Sequence, residues 1–217
     1  MNAWLDTVLV LLILTNLHML GTSRISACIR SVAFQAVLLA LVSVLAQQGE
    51  VGLRVVLLAA VSLAIKAGVL PWLLRRAVRE VGVQTETEPI VGFTTSLLLG
   101  LGLLGAALHV AGRLPLPGSD GTTFLVAVAL FTTMVGLLLI VSRRKAITQT
   151  LGYLAMENGI YAFGLAFAVE EPLLVEMGVL LDVFVAVFVM GIAIHHISRE
   201  FDHIDTDRMT ALRDWTP

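Results

Sequence analysis

Residues 122–142 read TTFLVAVALFTTMVGLLLIVS, and residues 146–169 read AITQTLGYLAMENGIYAFGLAFAV. Only Arg143, Arg144 and Lys145 separate them. Each run is long enough to cross the ~30 Å hydrocarbon core of a bilayer, which takes about 20 mostly apolar residues in an α-helix. Both are too long for a barrel strand, which needs about 9–11 residues. A lipid-embedded backbone must also satisfy its own hydrogen bonds, and a helix does so within one segment. The two runs and their cationic turn therefore predict an all-α, polytopic membrane protein.

The same pattern extends over the whole chain. Apolar runs cover about residues 3–21, 31–47, 53–74, 89–112, 122–142, 146–169 and 173–197, which predicts seven transmembrane helices. Hydrophobic residues make up 58% of the 217 positions and charged residues 14%, against roughly 25% charged in an average globular domain. Seven spans take up roughly 140 positions, so no separate soluble catalytic domain fits. A net charge of −2 gives no basic excess for nucleic acid. A single cysteine rules out a thiolate cluster or zinc site built from this chain alone, so no cofactor and no metal are expected.

Lys and Arg positions set the expected topology. Arg24 and Arg30 follow span 1; Arg75, Arg76 and Arg79 follow span 3; Arg143, Arg144 and Lys145 follow span 5; Arg199, Arg208 and Arg213 lie in the tail. With seven spans all of these fall on one side, and only Arg54 and Arg113 fall on the other. The expectation is an external N-terminus and a cytoplasmic C-terminus in the cell inner membrane. Ile25-Ser26-Ala27-Cys28 resembles a lipoprotein cleavage box. However, residues 1–8 hold no Lys or Arg and Arg24 interrupts the apolar run, so span 1 reads as retained and Cys28 as an inert interfacial thiol.

Three charges lie near span centres: Lys66 in span 3, Glu157 in span 6 and Asp182 in span 7. Each costs on the order of 3 kcal/mol at mid-bilayer, while a Leu or Ile returns only about 0.3–0.6 kcal/mol. Two acids have side chains too short to snorkel to the interface. Lys66 is therefore expected to pair with Glu157 or Asp182, as structural glue or as part of a proton or ion relay. Around Glu157, Gln149, Tyr153 and Tyr161 recur at four-residue spacing, which places them on one helix face as a polar stripe. Tyr hydroxyls can hydrogen-bond an acid in either protonation state. Pro71, five residues after Lys66, removes a backbone donor and predicts a bend. Asn16, His18 and His109 read as isolated polar residues, and His195 and His196 as a poor metal pair because neighbours on a helix diverge by about 100°. Gly100, Gly102, Gly105 and Ala106 suit close helix packing.

The segment Leu151-Gly152-Tyr153-Leu154-Ala155-Met156-Glu157-Asn158-Gly159, after Arg143-Arg144, resembles the second helix of the K subunit of respiratory complex I. The tail His203-Ile204-Asp205-Thr206-Asp207-Arg208-Met209 resembles that subunit's tail. The whole chain resembles the longer hydrogenase-4 component E of formate hydrogenlyase-type complexes. The resemblance implies a four-helix extension over residues 1–115 and a three-helix K-like region over 116–217, with membrane acids Glu157 and Asp182 on its second and third helices. The K-subunit acid of span 6 falls at the position of Leu154 here, one turn before Glu157. The resemblance further implies a non-redox subunit contributing to proton or sodium translocation. Its partners would be antiporter-like membrane subunits, a peripheral hydrogenase-type redox module and the lipid bilayer. A stand-alone secondary transporter and a passive structural subunit are the alternatives; a transporter often shows broken helices in paired repeats, and no repeat is visible here.

Overall fold

The computed structural model describes residues 3–46, 60, 63–81, 85, 89–114, 120–167 and 191. Helix α1 runs over Ala3–Gly21 and α2 over Ile25–Ala46. A π-helical segment, Ala64–Val69, leads directly into α3, Leu70–Val81. Helices α4 (Phe93–Ala111), α5 (Asp120–Ser142) and α6 (Ala146–Phe167) complete the described bundle. All named elements among the described residues are helical, as the sequence predicts. Among the described residues, four helices are apolar and long enough to cross a membrane: Trp4–Gly21, Ile25–Ser43, Phe93–Ala111 and Thr122–Ser142. Asp182, His195, His196 and the tail lie outside the described residues, and of span 7 only Gly191 is described.

Helix α6 is 22 residues long yet is not one of those four. Its Gln149, Glu157, Asn158 and threonines make it too polar for an all-round lipid environment. The fold deals with this by placing α6 inside, against α5 and α2. Contact between α5 and α6 is close because three glycines remove side chains from it. A Cβ on Gly136 would lie 2.6 Å from the Gly152 carbonyl oxygen, and one on Gly152 would lie 2.9 Å from the Ile140 nitrogen. A Cβ on Gly159 would run into Thr133 and lie 2.9 Å from the Ala129 carbonyl. Backbones can approach this closely in a membrane only where small residues line the crossing. The glycines of α4 behave differently from expectation. Gly100 faces Leu20, but Gly102 and Gly105 have nothing within 4 Å of a built Cβ, and Ala106 is exposed.

Several contacts gather the cationic turns at one end of the bundle. Arg143 is buried and donates to the Leu20 carbonyl at the end of α1 (2.9 Å) and to the Val91 carbonyl before α4 (3.2 Å). Its guanidinium also lies 4.5 Å from the Phe93 ring centroid. Carbonyls at a helix C-terminus carry partial negative charge, which stabilises an arginine placed beside them. Lys145 donates to the Thr85 carbonyl, Arg24 and Thr85 form an isolated antiparallel bridge, and the Ile90 amide donates to Ser142. Arg24, Thr85, Ile90 and the turn at residues 143–145 therefore share one end of the bundle.

Two local expectations change. Arg30 does not end a helix: α2 starts at Ile25, and Arg30 lies exposed on it. A long cation can reach water while its helix continues. Arg75, Arg76 and Arg79 are helical rather than in a loop, because Leu70, Leu73, Leu74, Ala77 and Val78 give α3 a buried apolar face opposite them. Cys28 is buried in the core with Met19, Ile25 and Ile29, on the first turn of α2.

Candidate functional site

Lys66 Nζ lies 2.9 Å from Glu157 Oε1, and both side chains are buried, 9% and 3% exposed. Glu157 sits about 16 Å along α6 from Ala146 at 1.5 Å per residue, close to half of a ~30 Å hydrocarbon core. The sequence left Lys66 a choice between two acids, and the fold brings it to Glu157. Lys66 belongs to the π-helical segment, in which the Leu70 amide donates to the Ile65 carbonyl five residues back. Pro71 follows at once, with no N–H to continue the ladder. The bend expected at Pro71 therefore takes the form of a π-turn immediately before it. Such wider turns are frequent at functional positions.

Tyr161, one turn beyond Glu157, places its ring 5.3 Å from Lys66 Nζ. The ring face attracts the ammonium. Its hydroxyl is 3.1 Å from Ser43 Oγ. Ser43 already donates its only proton to the Leu39 carbonyl (2.9 Å), so Tyr161 is the donor in this pair. Lys66, Glu157, Tyr161 and Ser43 thus form one polar group shared by α6, α2 and the π-helical segment.

The rest of the predicted stripe does not join it. Gln149 folds back to donate to the Arg143 carbonyl at 2.9 Å, where it closes the α5–α6 turn. Tyr153 packs, partly buried, against the apolar cluster containing Leu73, Leu151 and Leu154. Asp182 lies outside the described residues. His18 and His109 are exposed.

A second buried group escaped the sequence reading. Asn158 Nδ2 donates to Gln35 Oε1 (3.4 Å). Gln35 Nε2 donates to Asn16 Oδ1 (2.9 Å) and Thr15 Oγ1 (3.2 Å). Asn16 Nδ2 donates to Thr132 Oγ1 (2.8 Å), which donates to the Val128 carbonyl (2.8 Å). Asn16, Gln35, Thr132 and Asn158 are all buried. Asn16 is therefore not isolated but central to a chain linking α1, α2, α5 and α6. One signal was available: each amide lies inside an otherwise apolar span, where an unpaired polar group is costly.

A bundle of apolar, membrane-length helices with a buried ion pair between α6 and the π-helical segment defines a polytopic membrane protein. Comparison with known proteins narrows the class. Residues 124–214 match the family model of NADH-ubiquinone/plastoquinone oxidoreductase chain 4L. Over 148 residues the chain is 31% identical to hydrogenase-4 component E of Escherichia coli K12, covering 68% of each protein. It is also 31% identical over 204 residues to an uncharacterized protein of Mycobacterium tuberculosis, covering 94% of this chain and 93% of that one. No solved structure matches it. The chain belongs to the hydrogenase-4 component E family, whose C-terminal part is related to the complex I subunit 4L/K. It is a multi-pass membrane protein, and the similarity supports a subunit of a complex related to respiratory complex I.

Proposed function

We propose that this chain is a non-redox membrane subunit of a hydrogenase-4 or formate hydrogenlyase-type complex, and that its Lys66–Glu157 pair is a station on a proton or sodium path. The pair itself carries the reading. Desolvating two charges costs several kcal/mol per ion, and well-packed apolar residues hold helices together as well or better. This bundle already has cheaper means of cohesion in its glycine crossing and its neutral amide chain. What two opposite charges add is an exchangeable proton and a pair that can open.

In this reading the chain has seven spans, an external N-terminus and a cytoplasmic C-terminus in the inner membrane. Residues 1–115 extend the K-like region, 116–217. Lys66, Glu157 and Tyr161 form the centre of the path, and Asp182 on span 7 is the next station. Gln149 and Tyr153 support α6 on its cationic-end half. Antiporter-like subunits and a peripheral hydrogenase-type module are the neighbours.

The competing reading is that the pair only glues helices together. Lys66→Met combined with Glu157→Gln separates the two. The double variant removes both charges, so the complex should assemble. Redox-driven ion uptake by vesicles carrying the whole complex should fall in the relay reading. Normal uptake by an assembled double variant refutes the relay.

A further inference from the structure

The neutral amide chain next to the ion pair has a direction, and that direction bears on Glu157. Its far end is the Val128 carbonyl, which can only accept. Thr132 must therefore donate there, and its oxygen accepts from the Asn16 amide nitrogen. Asn16 Oδ1 in turn faces the Gln35 amide nitrogen. Thr15 pins Gln35 a second time. Thr15 Oγ1 donates to the Leu12 carbonyl (2.8 Å), so it accepts from Gln35 Nε2. With both hydrogens of its amide committed to α1, Gln35 has only its oxygen to offer α6. Asn158 meets that oxygen.

Asn158 and Glu157 are neighbours on α6, so their side chains leave the helix about 100° apart. The bond to Gln35 therefore acts on the rotation of α6 about its own axis. A side-chain tip lies roughly 6 Å from that axis, so a 20° rotation moves it by about 2 Å. That displacement is comparable with the whole 2.9 Å separation of Lys66 and Glu157. The glycine crossing restrains α6 on the side facing α5, and the bond to Gln35 restrains it on the side facing α2.

We propose that Gln35 is a positioning residue for the ion pair: through Asn158 it sets the rotation of α6 that points Glu157 at Lys66. The inference rests on the reading of that pair as a functional station. It is tested in the whole complex, in membrane vesicles, with Gln35→Leu and with Gln35→Leu combined with Asn158→Leu. Gln35→Leu leaves the Asn158 donor buried without its acceptor, so assembly weakens and ion uptake falls. In the double variant the Asn158 donor is removed together with its acceptor, while Asn16 Oδ1 still loses the Gln35 amide. Assembly should recover in part, above that of Gln35→Leu alone. Ion uptake should stay roughly tenfold low, and its dependence on pH should be displaced from that of the unsubstituted complex.

A double variant with normal uptake and an unaltered pH profile overturns the proposal, because the network is then packing alone. So does a double variant that assembles no better than Gln35→Leu alone, since the inference treats the bond between Gln35 and Asn158 as dispensable for packing. Glu157→Gln, measured alongside, distinguishes the two levels. Full uptake in Glu157→Gln removes the functional reading of the pair, and the positioning role with it. Reduced uptake there with normal uptake in the Gln35 double variant removes only the positioning role.

Discussion

Breaking the ion pair from one side should cost far more than removing it altogether. Lys66 Nζ and Glu157 Oε1 are 2.9 Å apart, which at an effective dielectric of about 20 is roughly 6 kcal/mol of attraction. Against it stands about 3 kcal/mol for each ionised residue at mid-membrane, so the pair comes near to break-even. Glu157→Gln keeps the desolvation of Lys66 and loses the attraction. The expected cost is about 3–5 kcal/mol, and Lys66→Met is expected to cost a similar amount. The double variant loses both terms and should lie within about 1 kcal/mol of the starting protein. The assay is recovery of the assembled complex from mild detergent after a temperature ramp. Each single variant should lower the midpoint on the order of 10 °C, and the double should restore most of it. Single effects that simply add in the double variant would refute the argument, because residues in contact must couple.

Three further outcomes follow from other parts of the bundle. Gly152→Val should disrupt assembly, since even a Cβ would lie 2.9 Å from the backbone of α5, whereas Gly102→Ala should be silent in the same recovery assay. Arg143→Lys should lower thermal stability by about 1–3 kcal/mol, because one compact ammonium replaces the fork that reaches both Leu20 and Val91 carbonyls. Reporters inserted after Thr22 and after Arg144 should report the same side of the membrane, and one inserted near Gly118 the opposite side. A reporter after Thr22 on the same side as one near Gly118 would contradict the alternation.

Much of the bundle was legible in the sequence because a membrane span is a length rule. Helix α1 begins and ends where its apolar run does, and α5 and α6 start within two residues of theirs. The structure departs from the sequence pattern where a charge reads as a boundary. Arg30 and the arginines after Trp72 sit on continuing helices, because an arginine on an exposed face does not interrupt backbone hydrogen bonds. The ion pair was half legible: burial demanded a partner for Lys66, but partner choice depends on tertiary placement. The polar stripe was legible as a helix face, without the neighbours that each residue meets. Four-residue spacing puts Gln149, Tyr153, Glu157 and Tyr161 on one side of α6, but a side of a helix meets different neighbours at different depths. Gln149 meets the turn, Tyr153 an apolar cluster, and Glu157 and Tyr161 meet Lys66. The amide chain went unread because its members come from four helices, and no local pattern marks such a set.

The polarity of α6 also has a consequence for how the protein is made. A helix too polar to qualify as a span on its own composition follows, after a three-residue turn, the most apolar span described, Thr122–Ser142. It is therefore suited to enter the bilayer as the second arm of a hairpin whose first arm carries the hydrophobic driving force. The glycine crossing lets the two arms close tightly. Translation runs from the N-terminus, so Asn16, Gln35 and Lys66 are synthesised before Glu157 and Asn158. When α6 arrives, the groups that neutralise its carboxylate and satisfy its amide are already in the membrane. Chain order alone thus shortens the time for which an uncompensated acid is exposed to lipid.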